Sequence, residues 1–273
     1  MVARPPSTAD WLSPEGDRHF DDLVEKFADS LYGRTRGALR LAMLDHLLPR
    51  MLTLESQPVL EVGAGLGQMA VWFIERGHAV TVTEPAEAML SRAREHLGGQ
   101  AEGYVQAPLQ RLTEFTPGPW PLIVCHAVLE WLAEPRTALS TLNGLLAPGG
   151  QVSLMVFNRD ALRFSNVLKG NWDKVQQDDL AGQGRGQRLT PISPLSHAQI
   201  ARWAAEEGLT VESVAGIRVF SDYCGVSAAS AETYDQLLAL ERQYCQCEPH
   251  WRLGRYLLYT LRKPHAGHDE GNA

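Results

Sequence analysis

A glycine-rich turn with an acidic residue just ahead of it is the feature of this sequence with the clearest chemistry. Residues 59–67 read Val-Leu-Glu-Val-Gly-Ala-Gly-Leu-Gly, so Glu61 is followed by glycines at alternate positions from Gly63 to Gly67. Glycines at the end of a strand let a ligand approach the backbone, and the next helix presents free N–H groups. A dinucleotide motif needs a glycine where this chain has Gln68. Glu61 suits a cationic amine better than a diphosphate, and a turn without any ligand is the simpler alternative.

Two more polar residues follow predicted strands. Glu84 stands 17 positions after Gly67, and an acid at the end of a second strand can accept both hydroxyls of a ribose. His126 follows the fourth predicted strand, and ligands of open α/β sheets bind at the carboxyl ends of their strands. A surface carboxylate and a packed imidazole are the alternatives. Taken with the glycine-rich turn, the two residues favour a nucleoside-like ligand.

Alternating apolar segments predict the elements that carry these residues. Short apolar runs predict strands, and runs with helical spacing predict helices between them. The strands are expected at 58–63, 79–83, 104–107, 122–125 and 151–157, and the helices at 68–76, 85–97 and 135–146. Short connections between them indicate an α/β fold with a mostly parallel sheet and helices on both faces.

The flanking segments extend this sheet. Residues 17–55 are expected to form a helical cap of two helices broken near Tyr32, and residues 158–195 a long insertion on the substrate side. A helix at 197–208, strands at 210–221 and 255–262, and a helix at 231–246 suit an antiparallel edge of the same sheet. We expect a loose leader at 1–16, a single domain at 17–263 and a polar tail at 264–273.

Composition limits the classes of function. The chain has 273 residues, 44% hydrophobic and 21% charged, with a net charge of −7 and four Cys. These values exclude a disordered chain and a disulfide-stapled mini-protein, and the cysteine spacing predicts no metal site. The absence of a long apolar run predicts a soluble protein of the cytoplasm with no membrane partner. The negative charge requires that any RNA bind through a local basic patch.

Several motifs outside the glycine-rich turn form a more specific pattern. They include His126-Ala-Val-Leu-Glu-Trp131, Gly170-Asn-Trp-Asp173, Gly216-Ile-Arg-Val-Phe220 and Leu253-Gly-Arg-Tyr256. Through them, the chain from about Phe20 to Pro264 resembles the bacterial tRNA 5-carboxymethoxyuridine methyltransferases. These are class I S-adenosylmethionine-dependent methyltransferases with a Rossmann-like sheet, and they esterify a modified wobble uridine in certain tRNA anticodons.

The resemblance implies a set of residues in contact with S-adenosylmethionine. Arg40, on the N-terminal cap, enters the set through the resemblance alone and could pair with the methionine carboxylate. Glu61 and Glu84 stand where the family usually has Asp, which moves each carboxylate by about one methylene. Together with the turn, the predicted cofactor-binding residues are Arg40, Glu61, Gly63, Ala64, Gly65, Glu84, Leu109, Gln110 and His126.

The implied acceptor is a carboxylate of a modified base. Such an acid, with a pKa near ~4, is ionised at neutral pH, so no general base and no catalytic residue in that sense are expected. Orientation of the acceptor is expected from arginines, aromatics and a polar side chain. Residues 158–190, which carry six basic residues against four Asp, supply the basic patch. The predicted substrate-binding residues are Tyr32, Asn158, Arg163, Lys169, Trp172 and Arg218.

Three functions therefore remain open from the sequence. The first is a carboxyl methyltransferase of the wobble uridine in a tRNA anticodon stem-loop that bears 5-carboxymethoxyuridine. The second is a methyltransferase of a free small-molecule carboxylate or hydroxyl acceptor, which the acidic net charge suits. The third is an RNA-binding module without activity on a methyltransferase fold. The intact turn, Glu84 and Arg40 argue against the third. The first two differ in whether the basic patch faces the mouth of the pocket, and our hypothesis is the first.

Overall fold

A computed structural model of the chain describes residues 13, 14, 16–20, 35–183, 190–224 and 231–265. The first helix of the predicted cap, the break near Tyr32 and most of the polar tail lie outside these residues. The division of the chain into leader, domain and tail stays a prediction.

A seven-stranded sheet organises the described chain. Its strands lie in the order β3-β2-β1-β4-β5-β7-β6. Neighbouring strands pair in parallel except for β7, which is antiparallel to both β5 and β6. The predicted mostly parallel sheet is confirmed. The strands are β1 (Val59–Val62), β2 (Val80–Thr83), β3 (Gly103–Val105), β4 (Trp120–His126), β5 (Leu146–Phe157), β6 (Thr210–Ile217) and β7 (Tyr256–Arg262).

The antiparallel strand lies one position inside the edge of the sheet. β7 is inserted between β5 and β6, so Tyr256, its first residue, pairs with Phe157 on one side and Ile217 on the other. The start of β7 therefore reaches the edge at which the parallel strands end. The predicted strand at 210–221 stops at Ile217 because Arg218 has a φ of +63° and turns the chain.

Helices cover both faces of the sheet, as predicted. Side chains of α1, α2 and α3 share one buried cluster with the sheet, and those of α4, α5 and α8 share the other. In α1, Leu39, Met43 and Leu47 are buried at four-residue steps, as expected for an amphipathic helix. The helices are α1 (Thr35–Met51), α2 (Gln68–Ile74), α3 (Glu87–Leu97), α4 (Leu112–Phe115), α5 (Pro135–Leu145), α6 (Arg159–Leu168), α7 (Trp172–Gln176), α8 (His197–Glu206) and α9 (Ala231–Tyr244).

The insertion contains two helices, α6 and α7, that the sequence pattern did not predict. α6 begins at Asn158, whose Oδ1 accepts a hydrogen bond from the Asp160 N–H at 2.9 Å. The buried face of α6 consists of the small residues Ala161 and Ser165, while Leu168 is exposed. Phe164 and Val167 are exposed as well, whereas Leu162 is half-buried and lines the larger cavity described below.

The described part of the chain contains neither a membrane-spanning helix nor a cluster of metal ligands. None of its helices is long and apolar enough to cross a membrane. Within the same residues, no three His, Cys, Asp or Glu side chains are grouped so that they could hold a metal ion. The cysteines are free thiols, two buried and two exposed.

Candidate active site

The ends of the parallel strands meet at one edge of the sheet. β1 ends at Val62, which pairs in register with Thr83 at the end of β2, and β4 ends on the other side of β1 at His126. A cavity of about 440 Å³ opens at this edge, and a smaller one of about 60 Å³ lies beside it. Ala127 and Trp131 line both cavities, so the two form adjoining parts of one site.

All the predicted cofactor-binding residues line these two cavities. The topology explains this convergence, since each residue lies at or shortly after a strand end, apart from Glu61 one residue before the end of β1 and Arg40 on α1. Their contacts with a bound cofactor stay a prediction. The larger cavity is lined by Arg40, Glu61, Ala64, Gly65 and His126, and the smaller one by Gly63, Glu84, Leu109 and Gln110.

The glycine-rich turn after β1 has no room for a side chain at Gly63. Gly63 has a φ of +65°, and a Cβ built on it would lie 2.4 Å from Cγ2 of Val128. The carboxylate of Glu84 accepts hydrogen bonds from the Gly65 N–H at 2.9 Å and the Ala86 N–H at 3.1 Å. Glu84 therefore joins the turn after β1 to the end of β2 and also borders the smaller cavity.

Glu61 is a buried acid at the floor of the larger cavity. Burial raises its pKa to about 8, a hydrogen bond from the Ala70 N–H opposes the rise, and the nearby charge of Glu84 adds to it. Among the residues that the structure describes, none gives its Oε2 a hydrogen-bond partner. A buried acceptor without a donor is costly, so a ligand ammonium at this position would satisfy it.

Half-buried His126 and fully buried Glu130 are two further groups that line the larger cavity. The His126 Nε2 pairs with the Ser153 hydroxyl at 2.8 Å. Burial lowers the pKa of His126 to about 3, with a smaller contribution from Arg40, so the imidazole is neutral at physiological pH. Burial raises the pKa of Glu130 to about 8, although backbone hydrogen bonds and Arg40 oppose this. The sequence analysis did not select Glu130.

A short N-terminal segment, Asp17–Phe20, lies over the smaller cavity; we call it the N-terminal strap. One carboxylate oxygen of Asp17 accepts a hydrogen bond from the Gln110 amide at 2.7 Å, and the other accepts one from the Ala133 N–H at 2.8 Å. The ring of Phe20 packs edge-on against that of Trp131, with centroids 4.8 Å apart. No periodic pattern marks a strap of this kind, so the sequence analysis missed it.

The predicted substrate-binding residues separate into three groups. Lys169 and Arg218 line the larger cavity. Asn158 is fully buried and donates to the backbone carbonyls of Arg252 and Gly254, both at 2.8 Å. Arg163 pairs with Asp160 and Asp178, and Trp172 is 64% exposed on α7. Neither Arg163 nor Trp172 lines the larger cavity. Tyr32 lies outside the described residues. The roles of these residues toward a substrate stay predictions.

Arg255 is a cavity residue that the sequence analysis passed over. It lines the larger cavity one residue before β7, and its N–H donates to the Arg218 carbonyl at 3.2 Å. Both arginines pair with the buried Asp222. Arg255 lies at this edge because β7 is antiparallel and therefore starts where the parallel strands end. Knowing the direction of β7 would have been enough to select Arg255. The sequence pattern predicted the strand but not its neighbours.

Comparisons with known proteins agree with this geometry. A methyltransferase-domain family model matches residues 34–214. The tRNA 5-carboxymethoxyuridine methyltransferase of Escherichia coli (strain K12) is 39% identical over 260 residues, which cover 91% of this chain and 97% of that protein. A structure of the complex between the Haloferax volcanii Trm112 methyltransferase activator and a methyltransferase matches with a TM-score of 0.61, at 18% identity, over 92% of this chain and 100% of that one. The plantazolicin methyltransferase BamL, solved with SAH, matches with a TM-score of 0.52, at 15% identity, over 88% and 89%.

The sheet order, the glycine-rich turn and these likenesses define a class I methyltransferase that uses S-adenosylmethionine as its methyl donor. The likeness to the Escherichia coli protein extends over nearly the full length of both chains. The chain belongs to the tRNA 5-carboxymethoxyuridine methyltransferase family.

Proposed function

We propose that this protein methylates the carboxylate of 5-carboxymethoxyuridine at the wobble position of a tRNA anticodon. The observation that carries the proposal is the 39% identity to an enzyme of that name across both chains. Because the substrate is tRNA, we place the protein in the cytoplasm, with the anticodon stem-loop as its partner.

The residues of the two cavities fit S-adenosylmethionine. Glu61 carries a buried acceptor oxygen for which the described chain offers no donor, and the amide oxygen of Gln110 is in the same condition. Gly63 leaves no room for a Cβ, which would lie 2.4 Å from Cγ2 of Val128, so this turn requires glycine. In our assignment Glu61 and Arg40 hold the methionine end, Glu84 the ribose, and Leu109 with Gln110 the adenine. When bound, S-adenosylmethionine supplies a methyl group on a positively charged sulfur.

No side chain in the larger cavity needs to act as a general base. The acceptor carboxylate is already ionised at neutral pH, with a pKa near ~4. His126 is held by Ser153, and its pKa of about 3 makes it a weak base. The protein's contribution is therefore alignment of the acceptor and exclusion of water by the walls of the cavity.

The mouth of the larger cavity is cationic, which suits an RNA substrate. Arg36 and Lys169 both border it. The two arginines of the insertion that the structure describes contribute less positive charge, because Arg159 and Arg163 share the carboxylate of Asp178. Trp172 is exposed on α7 and is available to stack on an unpaired base. Phosphate contacts from the lysine and arginines would give affinity without reading sequence.

A two-pool assay tests the proposed function. The protein is incubated with labelled S-adenosylmethionine and either tRNA that carries 5-carboxymethoxyuridine or the same tRNA without the modification. We expect an alkali-labile methyl ester in the first pool only, because the second offers no carboxylate at the wobble base. Equal labelling of both pools, or of neither, would contradict the proposal. Transfer to free small-molecule carboxylates, measured in parallel, tests the competing function.

Cofactor binding is expected to release a proton from Glu61. With a pKa of about 8, Glu61 is mostly protonated in the free protein at pH 7. A ligand ammonium beside it would favour the carboxylate and lower that pKa. The affinity should therefore rise with pH up to about pH 8, by as much as about tenfold per pH unit, and fall above it as the amino group of the ligand loses its proton.

Calorimetry in buffers of different ionisation enthalpy measures this release directly. We expect up to about one proton per cofactor at pH 7 in the unchanged protein, and none in Glu61→Gln. Glu130→Gln is the matched control, since Glu130 is a buried acid in the same cavity with the same raised pKa. Release that disappears in Glu130→Gln but persists in Glu61→Gln would refute the assignment.

A further inference from the structure

Two arginines meet at the edge of the larger cavity where β6 ends and β7 begins. Arg218 follows Ile217, the last residue of β6, and Arg255 precedes Tyr256, with which Ile217 pairs in register. The Arg255 N–H donates to the Arg218 carbonyl at 3.2 Å, and both residues line the cavity. The antiparallel course of β7 thus places the two arginines next to each other at the edge where the parallel strands end.

A single buried carboxylate holds both groups. One oxygen of Asp222 accepts a hydrogen bond from Nη2 of Arg218, and the other accepts one from Nε of Arg255. The side chain of Asp222 is only 2% exposed. Burial would raise the pKa of Asp222, but the two arginines outweigh it and lower the pKa, so the carboxylate stays charged. Arg36 adds a third cation, with its Nε 3.7 Å from Asp222.

Basic side chains outnumber acidic ones in the lining of the larger cavity. Asp222 offers one negative charge to three guanidinium groups. The two acids that line the cavity, Glu61 and Glu130, have pKa values raised to about 8 by burial and are mostly neutral at pH 7. The Nε of Arg218 is buried, and no acceptor lies within hydrogen-bond distance of it in the described chain. A buried donor with excess positive charge predicts a ligand with anionic oxygens.

The turn that carries Arg218 is held in an unusual conformation. Arg218 has a φ of +63°, which L-residues adopt at a cost. Glu241 of α9, fully buried, accepts hydrogen bonds from the N–H groups of the next three residues, Val219, Phe220 and Ser221, at 2.6, 3.1 and 2.9 Å. On the β7 side, Asn158 holds the Gly254 carbonyl at 2.8 Å. Both arginines therefore stand on backbone segments that buried polar groups fix in place.

We infer that Arg218 and Arg255 bind the carboxylate of the acceptor and that Asp222 is the positioning residue that aligns their guanidinium groups. This inference rests on the proposed function. Two guanidinium groups fixed side by side present several N–H donors to a planar carboxylate. Asp222 fixes the spacing of the two guanidinium groups, and its single negative charge leaves the three side chains with a net positive charge. The N–H donors of Arg218 and Arg255 thereby orient the acceptor at the β6–β7 side of the cavity. The predicted cofactor-binding residues lie mostly at the ends of the parallel strands.

The test uses two anticodon stem-loops that differ only at the wobble base. One carries 5-carboxymethoxyuridine and the other carries uridine, so the second offers the same phosphates without the carboxylate. For Arg218→Gln we expect the KM for the first RNA to rise at least tenfold, with binding of the second RNA unchanged within twofold. Arg218→Lys should recover part of the affinity, because it keeps the charge but loses the fork of donors. Equal loss with both RNAs would assign the arginines to phosphate and overturn the inference.

Asp222→Asn tests the positioning role. The variant keeps the size of the side chain but removes the charge that aligns the arginines, so we expect kcat with the first RNA to fall at least tenfold. Cofactor affinity should stay within twofold, which also reports that the sheet edge is intact. Asp222→Glu should restore part of kcat. Unchanged kcat in Asp222→Asn, or no recovery in Asp222→Glu, would refute the positioning role.

Arg262→Gln is the matched control. Arg262 pairs with Glu212 on the same two strands, at their opposite ends, away from the cavities. Its loss should leave KM and kcat unchanged. The wild-type enzyme distinguishes failure of the proposed function from failure of the roles inferred for Arg218, Arg255 and Asp222. If it does not methylate the first RNA, the proposed function fails. If it does, and the Arg218 and Asp222 variants behave like it, the inference alone fails.

Discussion

Gly63→Ala is expected to lower cofactor affinity by about a hundredfold, equivalent to about 2.8 kcal/mol. The new Cβ would meet Cγ2 of Val128 at 2.4 Å, and Val128 also lines the smaller cavity. Valine is stiff about χ1, so relief requires a shift of the turn or of the segment after β4. Either shift moves groups that border both cavities.

The same change is also expected to destabilise the protein. A φ of +65° costs an L-residue about 1–2 kcal/mol, and overpacking adds about 1–3 kcal/mol. The measurements are isothermal titration with S-adenosylhomocysteine and denaturant unfolding of the free protein. Titration below the unfolding transition keeps the affinity measurable in a weakened variant.

Gly77→Ala separates backbone strain from steric conflict. Gly77 has a φ of +84°, but a Cβ there would meet no atom within 4 Å. We expect a loss of about 1–2 kcal/mol in the free energy of unfolding from strain alone, with cofactor affinity unchanged. Equal losses of affinity in both variants would show that the close approach at Gly63 plays no part in the site.

Glu84→Ala is expected to lower cofactor affinity at least tenfold, or about 1.4 kcal/mol. The substitution removes the proposed acceptor for the ribose hydroxyls. It also removes the carboxylate that holds the Gly65 N–H at 2.9 Å. Calorimetry that finds unchanged binding would refute both roles. Glu87→Ala, which removes an exposed carboxylate from the first turn of α3, should leave the affinity unchanged.

A cofactor analogue distinguishes the two roles of Glu84. We compare S-adenosylhomocysteine with an analogue that lacks one ribose hydroxyl, in the wild-type protein and in Glu84→Ala. If Glu84 binds the ribose, the loss on mutation should be smaller for the analogue, because part of the contact is already absent. Equal losses for both ligands would leave only its role in holding the turn.

Local patterns in the sequence determined the core of the sheet and several of the residues that line the cavities at its strand ends. The apolar runs at β1, β2 and β4 and the glycines after β1 are short-range signals, and parallel strands bring their ends to one edge. Glu61, Glu84 and His126 each follow from a position at or next to such an end. For this reason all three line the cavities in the structure.

Only the tertiary structure decided which groups meet at the far side of the larger cavity. Arg218, Asp222 and Arg255 come together because β7 runs antiparallel between β5 and β6. The burial of Asn158 and the ion pairs of Arg163 likewise depend on partners that the chain brings up from distant or irregular segments. Periodicity reports which face of an element is buried, but it carries no information on which element covers that face. The sequence could select Arg218, but its partners Asp222 and Arg255 become identifiable only once the strands are in order.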